Sequence, residues 1–218
     1  LRPADGACET VTLIEQRTKE GWEVKMKSEY VFFIAVGYFC GGILFSWLVP
    51  KLLKGIDVVS VSDDHNPGTA NAMKYGGVAI GLLCLALDLA KGYFPVHFAL
   101  RRLDSGDALF ALVVAAPVLG HAFSPMAKFR GGKAIAALFG VCIALLPVIS
   151  SGCFLAALFI FFSTVCVVKT NAYCVAVTMA ILIFDTVVFH PVSPVGIGVI
   201  LSAAVVMLKH IPSMRRES

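Results

Sequence analysis

Long apolar runs are the feature of this sequence that most limits the folds open to it. A helix needs about 20 mostly apolar residues to cross a bilayer, and seven stretches of the chain approach or exceed that length. They are residues 30–49, 76–100, 108–127, 134–149, 153–168, 172–189 and 193–208. The sequence therefore predicts an all-α, polytopic membrane protein with about seven transmembrane helices.

The composition supports this class and excludes two others. Hydrophobic residues make up 58% of the 218 residues and charged residues 15%, whereas soluble domains average about 45–50% and about 25%. A soluble domain of this size cannot bury so much apolar surface, and disorder is excluded for the same reason. The formal net charge is only +4, which is not the footprint of a nucleic-acid-binding protein, so we expect no nucleic-acid partner.

The first 25 residues differ from the rest of the chain. They are polar and lack the apolar core of a signal peptide, and the first methionine is Met26, directly ahead of the first apolar run. We predict that residues 1–25 are a polar N-terminal extension outside the fold. Residues 26–218 are then a single seven-span membrane domain.

The distribution of positive charge predicts the orientation in the membrane. With seven spans, one set of loops and the C-terminal end hold ten basic residues, and the opposite loops hold Arg101 and Arg102. The ten are Lys51, Lys54, Lys74, Lys128, Arg130, Lys133, Lys169, Lys209, Arg215 and Arg216. The richer side is expected to be cytoplasmic, so the C-terminus is inside and the N-terminus outside. Five basic residues within positions 1–29 argue mildly against this orientation.

A glycine-rich basic segment is the strongest local motif. Arg130, Gly131, Gly132 and Lys133 precede a helix-forming run. Glycines allow a ligand to approach the backbone closely, and a helix N-terminus favours anions, so the segment suits a phosphate. A plain juxtamembrane turn is the alternative. His121, shortly before it, suits phosphate binding or proton transfer; a histidine that only hydrogen-bonds a neighbouring helix is equally compatible.

Three further groups are candidates. Asn66, Gly68 and Asn71 form a turn-prone polar segment whose uncharged donors and acceptors suit a polyol or a phosphate; an ordinary loop has the same pattern. Lys91 follows Asp88 by three residues inside the second span, so the two can pair on one helical face, either structurally or functionally. His210, with Lys209, lies at the predicted cytoplasmic end of the last span, where basic residues commonly meet lipid headgroups.

The order of these motifs resembles the bacterial acyl-phosphate:glycerol-3-phosphate acyltransferase family (PlsY type), over about residues 26–218. The resemblance rests on Gly41-Gly42, Lys51 to Asp57, Asn66-Pro67-Gly68-Thr69-Ala70-Asn71, Asp88 to Gly92, Gly120-His121-Ala122-Phe123, Phe129-Arg130-Gly131-Gly132-Lys133 and Lys209-His210. It implies a seven-span enzyme of the bacterial plasma membrane. Its active site would face the cytoplasm, and membrane lipids would surround it.

The resemblance also implies a reaction and a set of site residues. An acyl group passes from acyl phosphate to the 1-hydroxyl of glycerol 3-phosphate, giving lysophosphatidic acid and phosphate, without a metal or a bound cofactor. The donor is already activated, so no acyl-enzyme is needed. The implied catalytic residues are His121, Lys133 and His210. The implied phosphate- or substrate-binding residues are Arg130, Gly131, Gly132, Asn66, Gly68, Asn71 and Lys91.

The chain departs from the family pattern at several of its polar positions. Gly42 stands where the family has serine in the first span, Val59 stands where it has arginine, and Ala134 stands where it has a third glycine. Asp63 and Asp64 replace a Gly-Ser-Gly segment, and carboxylates there would repel a phosphate. One alternative is thus a weakly active or non-catalytic relative that binds anionic lipid precursors. Another is a small transporter or channel for an anionic metabolite.

Overall fold

All regular structure in the described part of the chain is helical. The structure is a computed structural model, and it describes residues 26–146, 148, 172–189 and 193–217. Its helices are α1 (Met26–Gly42), α2 (Phe45–Lys54), α3 (Val58–Val61), α4 (Thr69–Gly76), α5 (Val78–Leu100), α6 (Phe110–Ala122), α7 (Ile135–Leu145), α8 (Ala172–Phe189) and α9 (Pro194–Glu217). A single 3-10 turn, Pro125–Ala127, follows α6. The all-α prediction is confirmed for these residues.

The first predicted span is two helices rather than one. α1 and α2 meet at a bend of 43°. The prediction that the span ends ahead of Pro50 is wrong, because α2 continues through Pro50 to Lys54. Its end is set by Gly55, whose φ of 68° is left-handed and whose N–H bonds to the carbonyl of Lys51. A left-handed glycine just past the last turn is a common helix stop.

Helices occupy five more of the predicted spans. α5, α9 and the segment Phe110–Ala127, which is α6 with the 3-10 turn after it, are long and apolar enough to cross a membrane. The bent pair α1–α2 is a fourth candidate. α7 and the part of α8 from Val175 to Phe189 are shorter apolar helical segments. α9 extends beyond the predicted end at 208, through Pro212 to Glu217. The predicted span 153–168 and the N-terminal extension 1–25 lie outside the described residues, so the number seven stays a prediction.

Close contact between α5 and α7 holds the centre of the bundle. A Cβ added at Gly92 would overlap the carbonyl of Ala137, and one at Gly140 would overlap the carbonyl of Leu89. Only glycine permits the two backbones to approach this closely. α9 packs against both α6 and α8, and α4 lies against α5. The buried core thus runs between α5, α6, α7, α8 and α9.

The outer surface of the helices is apolar as well. Large hydrophobic side chains are exposed along α1, α5, α8 and α9, including Phe32, Phe39, Leu82, Phe94, Phe98, Phe184 and Leu208. A water-soluble protein rarely exposes so extensive an apolar surface. These side chains are expected to contact lipid.

Candidate functional site

The loop between α6 and α7 folds back onto the end of α6. We call residues 123–134 the Gly-Gly-Lys loop. The N–H of Gly131 donates to the carbonyl of Ala122 at 3.2 Å, and the N–H of Gly132 donates to the carbonyl of His121 at 3.1 Å. A Cβ at Gly131 would overlap that carbonyl of His121. The two glycines therefore bring the loop close to α6, and their amide groups are already engaged there.

Three non-glycine residues of this loop have a left-handed backbone. They are Lys128, Phe129 and Ala134, with φ values of 51°, 63° and 61°. Such a conformation costs an L-residue roughly 1–2 kcal/mol, so the surrounding contacts must hold it in place. Ala134 stands where the family pattern has a glycine, and its φ supplies the physical reason for that glycine.

His121 lies in the last turn of α6 with its ring against the loop. Its side chain is buried, and a Cβ added at Gly132 would overlap Nε2 and lie 3.1 Å from Cδ2. Nδ1 is buried and has no hydrogen-bond partner among the described residues. A buried polar atom without a partner is uncommon. Its position beside the loop makes His121 a candidate to bind or polarise a ligand.

The asparagine segment, residues 66–71, lies against the same loop. Asn71 Nδ2 donates to the carbonyl of Asn66 at 2.8 Å, which ties the two ends of the segment together. Asn66 Oδ1 lies 3.4 Å from the Cβ position of Gly132. A Cβ at Gly68 would overlap Asn66 Nδ2. The structure therefore brings the asparagine segment, His121 and the Gly-Gly-Lys loop together around Gly132.

Lys133 has a partner that the sequence did not predict. Its Nζ lies 3.0 Å from Asp64 Oδ2, and the two side chains are 24% and 32% exposed. Asp64 Oδ1 also accepts from Asn71 Nδ2 at 2.8 Å. The interpretation of Asp64 only as a group that repels phosphate was incomplete, because it forms an ion pair with the lysine predicted to bind phosphate. The signal in the sequence that could have indicated this ion pair was the two adjacent acids, Asp63 and Asp64, in a region of basic loops.

Two opposing effects of its surroundings act on the pKa of Asp64. Partial burial acts to raise the pKa of the carboxyl group. Hydrogen bonds from Asn71 and Lys133, with the charge of Lys133, oppose this and leave the pKa below its ordinary value of 3.8. Asp64 is therefore ionised at neutral pH. Its neighbour Asp63 has a 92% exposed side chain and lies 3.4 Å from Lys74.

Lys91 lies in a buried ion pair. Its Nζ is 2.7 Å from Asp88 Oδ1 and donates to the carbonyl of Ile43 at 2.6 Å, in the break between α1 and α2. Ser46 donates to Asp88 Oδ2 at 2.6 Å, and the Thr69 hydroxyl is 3.5 Å from the same oxygen. Ser46 was missed from the sequence, since nothing local marks it. Thr69 lies in the polar segment that the sequence singled out, but its contact with Asp88 was not predicted. The prediction that Lys91 binds substrate stays a prediction, and its amine already has two protein partners.

The remaining predicted residues lie at the edges of this region. Lys209 of α9 places its Nζ 4.8 Å from the centre of the Phe123 ring, so α9 reaches the start of the Gly-Gly-Lys loop. His210, the next residue, is buried, and its Nδ1 is hydrogen-bonded to the carbonyl of Val206, one turn back along α9, at 2.7 Å. Arg130 is exposed on the loop. In the described part of the chain, no three His, Cys, Asp or Glu side chains come together as a metal site.

Comparison with known proteins identifies what this arrangement is similar to. A family model described as glycerol-3-phosphate acyltransferase matches residues 31–217. Glycerol-3-phosphate acyltransferase 2 of Thermotoga maritima is 46% identical over 110 residues, which are 50% of this chain and 55% of that protein. Glycerol-3-phosphate acyltransferase of Myxococcus xanthus is 35% identical over 114 residues, 52% of this chain and 59% of that protein. The aligned part thus spans about half the length of these curated relatives.

The fold is similar to that of two solved structures. A crystal structure of PlsY (YgiH), an integral membrane glycerol 3-phosphate acyltransferase, in its glycerol 3-phosphate form has a TM-score of 0.75 and 25% identity. It covers 87% of this chain and 92% of that one. The lysophosphatidic acid form has a TM-score of 0.71 and 25% identity, and the match covers 87% and 91% of the two chains. The described helices therefore have an integral membrane fold.

Proposed function

The chain belongs to the glycerol-3-phosphate acyltransferase family, and on that premise we propose that it transfers a fatty acyl group from acyl phosphate to the 1-hydroxyl of glycerol 3-phosphate. The products are lysophosphatidic acid, which is the precursor of phospholipids, and inorganic phosphate. The relatives named above are glycerol-3-phosphate acyltransferases, and the two PlsY structures are a glycerol 3-phosphate form and a lysophosphatidic acid form.

The observation that carries this proposal is the convergence around Gly132. The ring of His121 and the side chain of Asn66 both lie against this glycine, and Lys133 is the next residue. A cation, an amide and a histidine whose Nδ1 has no hydrogen-bond partner among the described residues are thereby gathered at one end of an apolar helix bundle. Phosphate groups need the polar part of this arrangement, and an acyl chain suits the apolar remainder.

In this proposal the polar residues bind and orient the two substrates. Lys133 and Arg130 neutralise phosphate oxygens, and Asn66 and Asn71 bind the phosphate or the polyol hydroxyls. Three glycines allow the backbone to pack closely here, because a side chain at any of them would overlap Asn66 or His121. They are Gly68, Gly131 and Gly132. Lys91 is assigned to the substrate-binding set only through the family pattern.

The chemical step needs no covalent intermediate on the protein. The 1-hydroxyl oxygen attacks the acyl carbon, a new ester bond forms, and the bond from that carbon to the phosphate oxygen breaks. The proton of the hydroxyl passes to the departing phosphate. His121 and His210 assist by holding the substrates and stabilising the negative charge that develops in the transition state. Positioning and charge stabilisation then supply most of the rate. No cofactor takes part in this scheme.

We further propose seven spans in the bacterial plasma membrane, with the N-terminus outside and the site facing the cytoplasm. Tyr30 of α1 donates to the carbonyl of Asp104 at 2.8 Å, close in sequence to Arg101 and Arg102. At the other end of α5, Lys54 donates to the carbonyl of Gly76 at 2.7 Å. The end with the richer basic loops therefore holds the candidate site, and the positive-inside rule favours the cytoplasm for it.

Reporter fusions test this orientation. Green fluorescent protein fused after residue 218 is expected to fluoresce in a bacterial host, whereas alkaline phosphatase at the same point is expected to be inactive. Active alkaline phosphatase there would reverse the proposed topology. The single membrane domain 26–218 is tested in the same host, since a chain that starts at Met26 is expected to accumulate in the membrane.

An assay in membranes tests the activity. Membranes that contain the protein are supplied with labelled glycerol 3-phosphate and either acyl phosphate or acyl-CoA. Lysophosphatidic acid is expected from acyl phosphate alone. Lys133→Ala and His121→Ala are expected to abolish it while the protein still accumulates. Lys74→Ala is the matched control, because Lys74 also forms an ion pair with an aspartate of the 63–64 pair but lies outside the convergence.

A second candidate function is favoured by one specific observation. Asp64 neutralises Lys133, and Val59 stands where the family has an arginine, so the site has fewer free positive charges than the family pattern implies. A relative that binds anionic lipid precursors without turnover is consistent with this. Binding of glycerol 3-phosphate without product from either donor would favour this second function. Full activity of both Lys133→Ala and His121→Ala would contradict the site assignment.

A further inference from the structure

Asp64 is held by donors that belong to the candidate phosphate site itself. Its Oδ2 lies 3.0 Å from Lys133 Nζ. Its Oδ1 accepts from Asn71 Nδ2 at 2.8 Å and from the backbone N–H of Asn66 at 3.3 Å. Lys133 is one of the implied catalytic residues, and Asn66 and Asn71 belong to the implied substrate-binding set. A carboxylate and a phosphate use the same acceptor chemistry toward such donors.

The position of Asp64 in the fold leaves its contact with Lys133 partly open to water. The side chain is 32% exposed, and it lies in the connection between α3 and α4, outside both helices. Its backbone neighbour His65 has a left-handed φ of 51° and is tied to the carbonyl of Val59 through Nδ1 at 2.8 Å. A carboxylate that is partly open to water is displaced more easily than a buried one, because both groups can be resolvated.

We propose that Asp64 is an internal competitor for the substrate phosphate and thereby sets the affinity of the site for glycerol 3-phosphate. This inference rests on the proposed function. With Asp64 in place, the Lys133–Asp64 pair carries no net charge, and the phosphate must take over Lys133 and Asn71 from the carboxylate. Asp64 is a positioning residue and not a catalytic one, since its effect is on the donors that bind the substrate.

The adjacent acid provides a matched comparison. Asp63 carries the same charge one residue earlier, but its side chain is 92% exposed and it faces Lys74, whose side chain is 57% exposed. Removal of either charge changes the net charge of the protein equally. Only removal of the charge at Asp64 frees a donor of the candidate site. The comparison of the two variants therefore separates a general effect of surface charge from competition between Asp64 and the substrate phosphate.

The test is a steady-state analysis of four proteins: the wild type, Asp64→Asn, Asp64→Glu and Asp63→Asn. Asp64→Asn keeps an oxygen acceptor for Asn71 and removes the charge. We expect its KM for glycerol 3-phosphate to fall by about tenfold, equivalent to about 1.4 kcal/mol, with kcat within about twofold of the wild type. Asp64→Glu restores the charge and is expected to return KM toward the wild-type value. Asp63→Asn is expected to leave KM unchanged.

Binding measured without turnover keeps this test separate from the proposed function. Calorimetry of purified protein in detergent, with glycerol 3-phosphate as the ligand and no acyl donor, is expected to show tighter binding in Asp64→Asn by the same factor. If no protein forms product, the proposed activity fails, while the calorimetric comparison still decides the role of Asp64. If Asp64→Asn does not accumulate, Asp64→Ser takes its place with the same expectation.

Two results would overturn the proposal. One is a KM and a dissociation constant in Asp64→Asn that equal those of the wild type, which would mean that Asp64 does not compete with the substrate, or that exceed them, which would mean that Asp64 supports substrate binding. The other is an equal gain in affinity in Asp63→Asn, which would mean that only the net charge of the surface matters.

Discussion

The buried ion pair of Asp88 and Lys91 allows the effect of a substitution on the stability of the folded protein to be calculated from the structure. Asp88 is fully buried, Lys91 is 6% exposed, and their charged atoms are 2.7 Å apart. At an effective dielectric constant of about 20, the attraction between unit charges at this distance is about 6 kcal/mol. Removal of one partner from a buried pair costs about 3–5 kcal/mol, because the other charge is left uncompensated.

We therefore expect Asp88→Asn to lower the melting temperature in detergent by roughly 10 °C. The double variant Asp88→Asn with Lys91→Met removes both charges, and the loss falls to about 1–2 kcal/mol, mainly for the carbonyl of Ile43 that loses its donor. The double variant should melt at a higher temperature than Asp88→Asn alone. Asp63→Asn is the control for a surface carboxylate and is expected to melt with the wild type.

The melting temperature is measured by heating samples to a series of temperatures and determining, by size-exclusion chromatography, how much folded protein remains. The reasoning is refuted if Asp88→Asn melts within about 2 °C of the wild type, or if the double variant melts below Asp88→Asn. Acyl transfer by the double variant decides the role of Lys91. Retained activity would mean that Lys91 supports the α1–α2 break, and loss of activity in a stable protein would support substrate binding.

Three other predictions concern the loops and the packing. Gly132→Ala places a methyl group on the ring of His121, and kcat is expected to fall at least tenfold while expression is retained. Gly140→Ala forces α5 and α7 apart and is expected to cost about 1–3 kcal/mol, measured as a lower melting temperature. Burial raises the pKa of Asp57, but bonds from Trp47 and Lys51 outweigh this and lower it below 3.8. The stability that these bonds give is thus fully present above about pH 3.8 and is lost as the pH falls through the lowered pKa of Asp57. A step in Trp47 fluorescence is expected in that acidic range, and it should be absent in Asp57→Asn.

Much of the helical architecture was predictable because apolar runs are local. The run at 172–189 matches α8 at both ends, and the run at 76–100 differs from α5 by two residues at its start. The end of α2 was mispredicted because proline was given more weight than the left-handed Gly55 that follows it. A proline removes one backbone hydrogen bond, whereas a capping glycine satisfies the carbonyls at the helix end.

The candidate site was predictable as a set of residues but not as a set of partners. Its histidine, lysine and asparagines are marked by motifs, and His121, Lys133 and Asn66 do meet at Gly132. The roles of the glycine amides were not predictable. Gly131 and Gly132 resemble a phosphate cradle in sequence, yet their N–H groups donate to α6. Which acceptor an amide finds depends on how the loop folds back, and no local pattern encodes that.

The sequence by itself determined the class of this protein, its membrane helices and the motifs of its family, because hydropathy and residue type are properties of short segments. Only the tertiary structure decided that Asp64 pairs with Lys133 across 69 residues of chain, and that Lys91 donates to the carbonyl of Ile43 across 48. These contacts depend on how closely the helices approach one another. The charge that remains free in the candidate site is set by the fold.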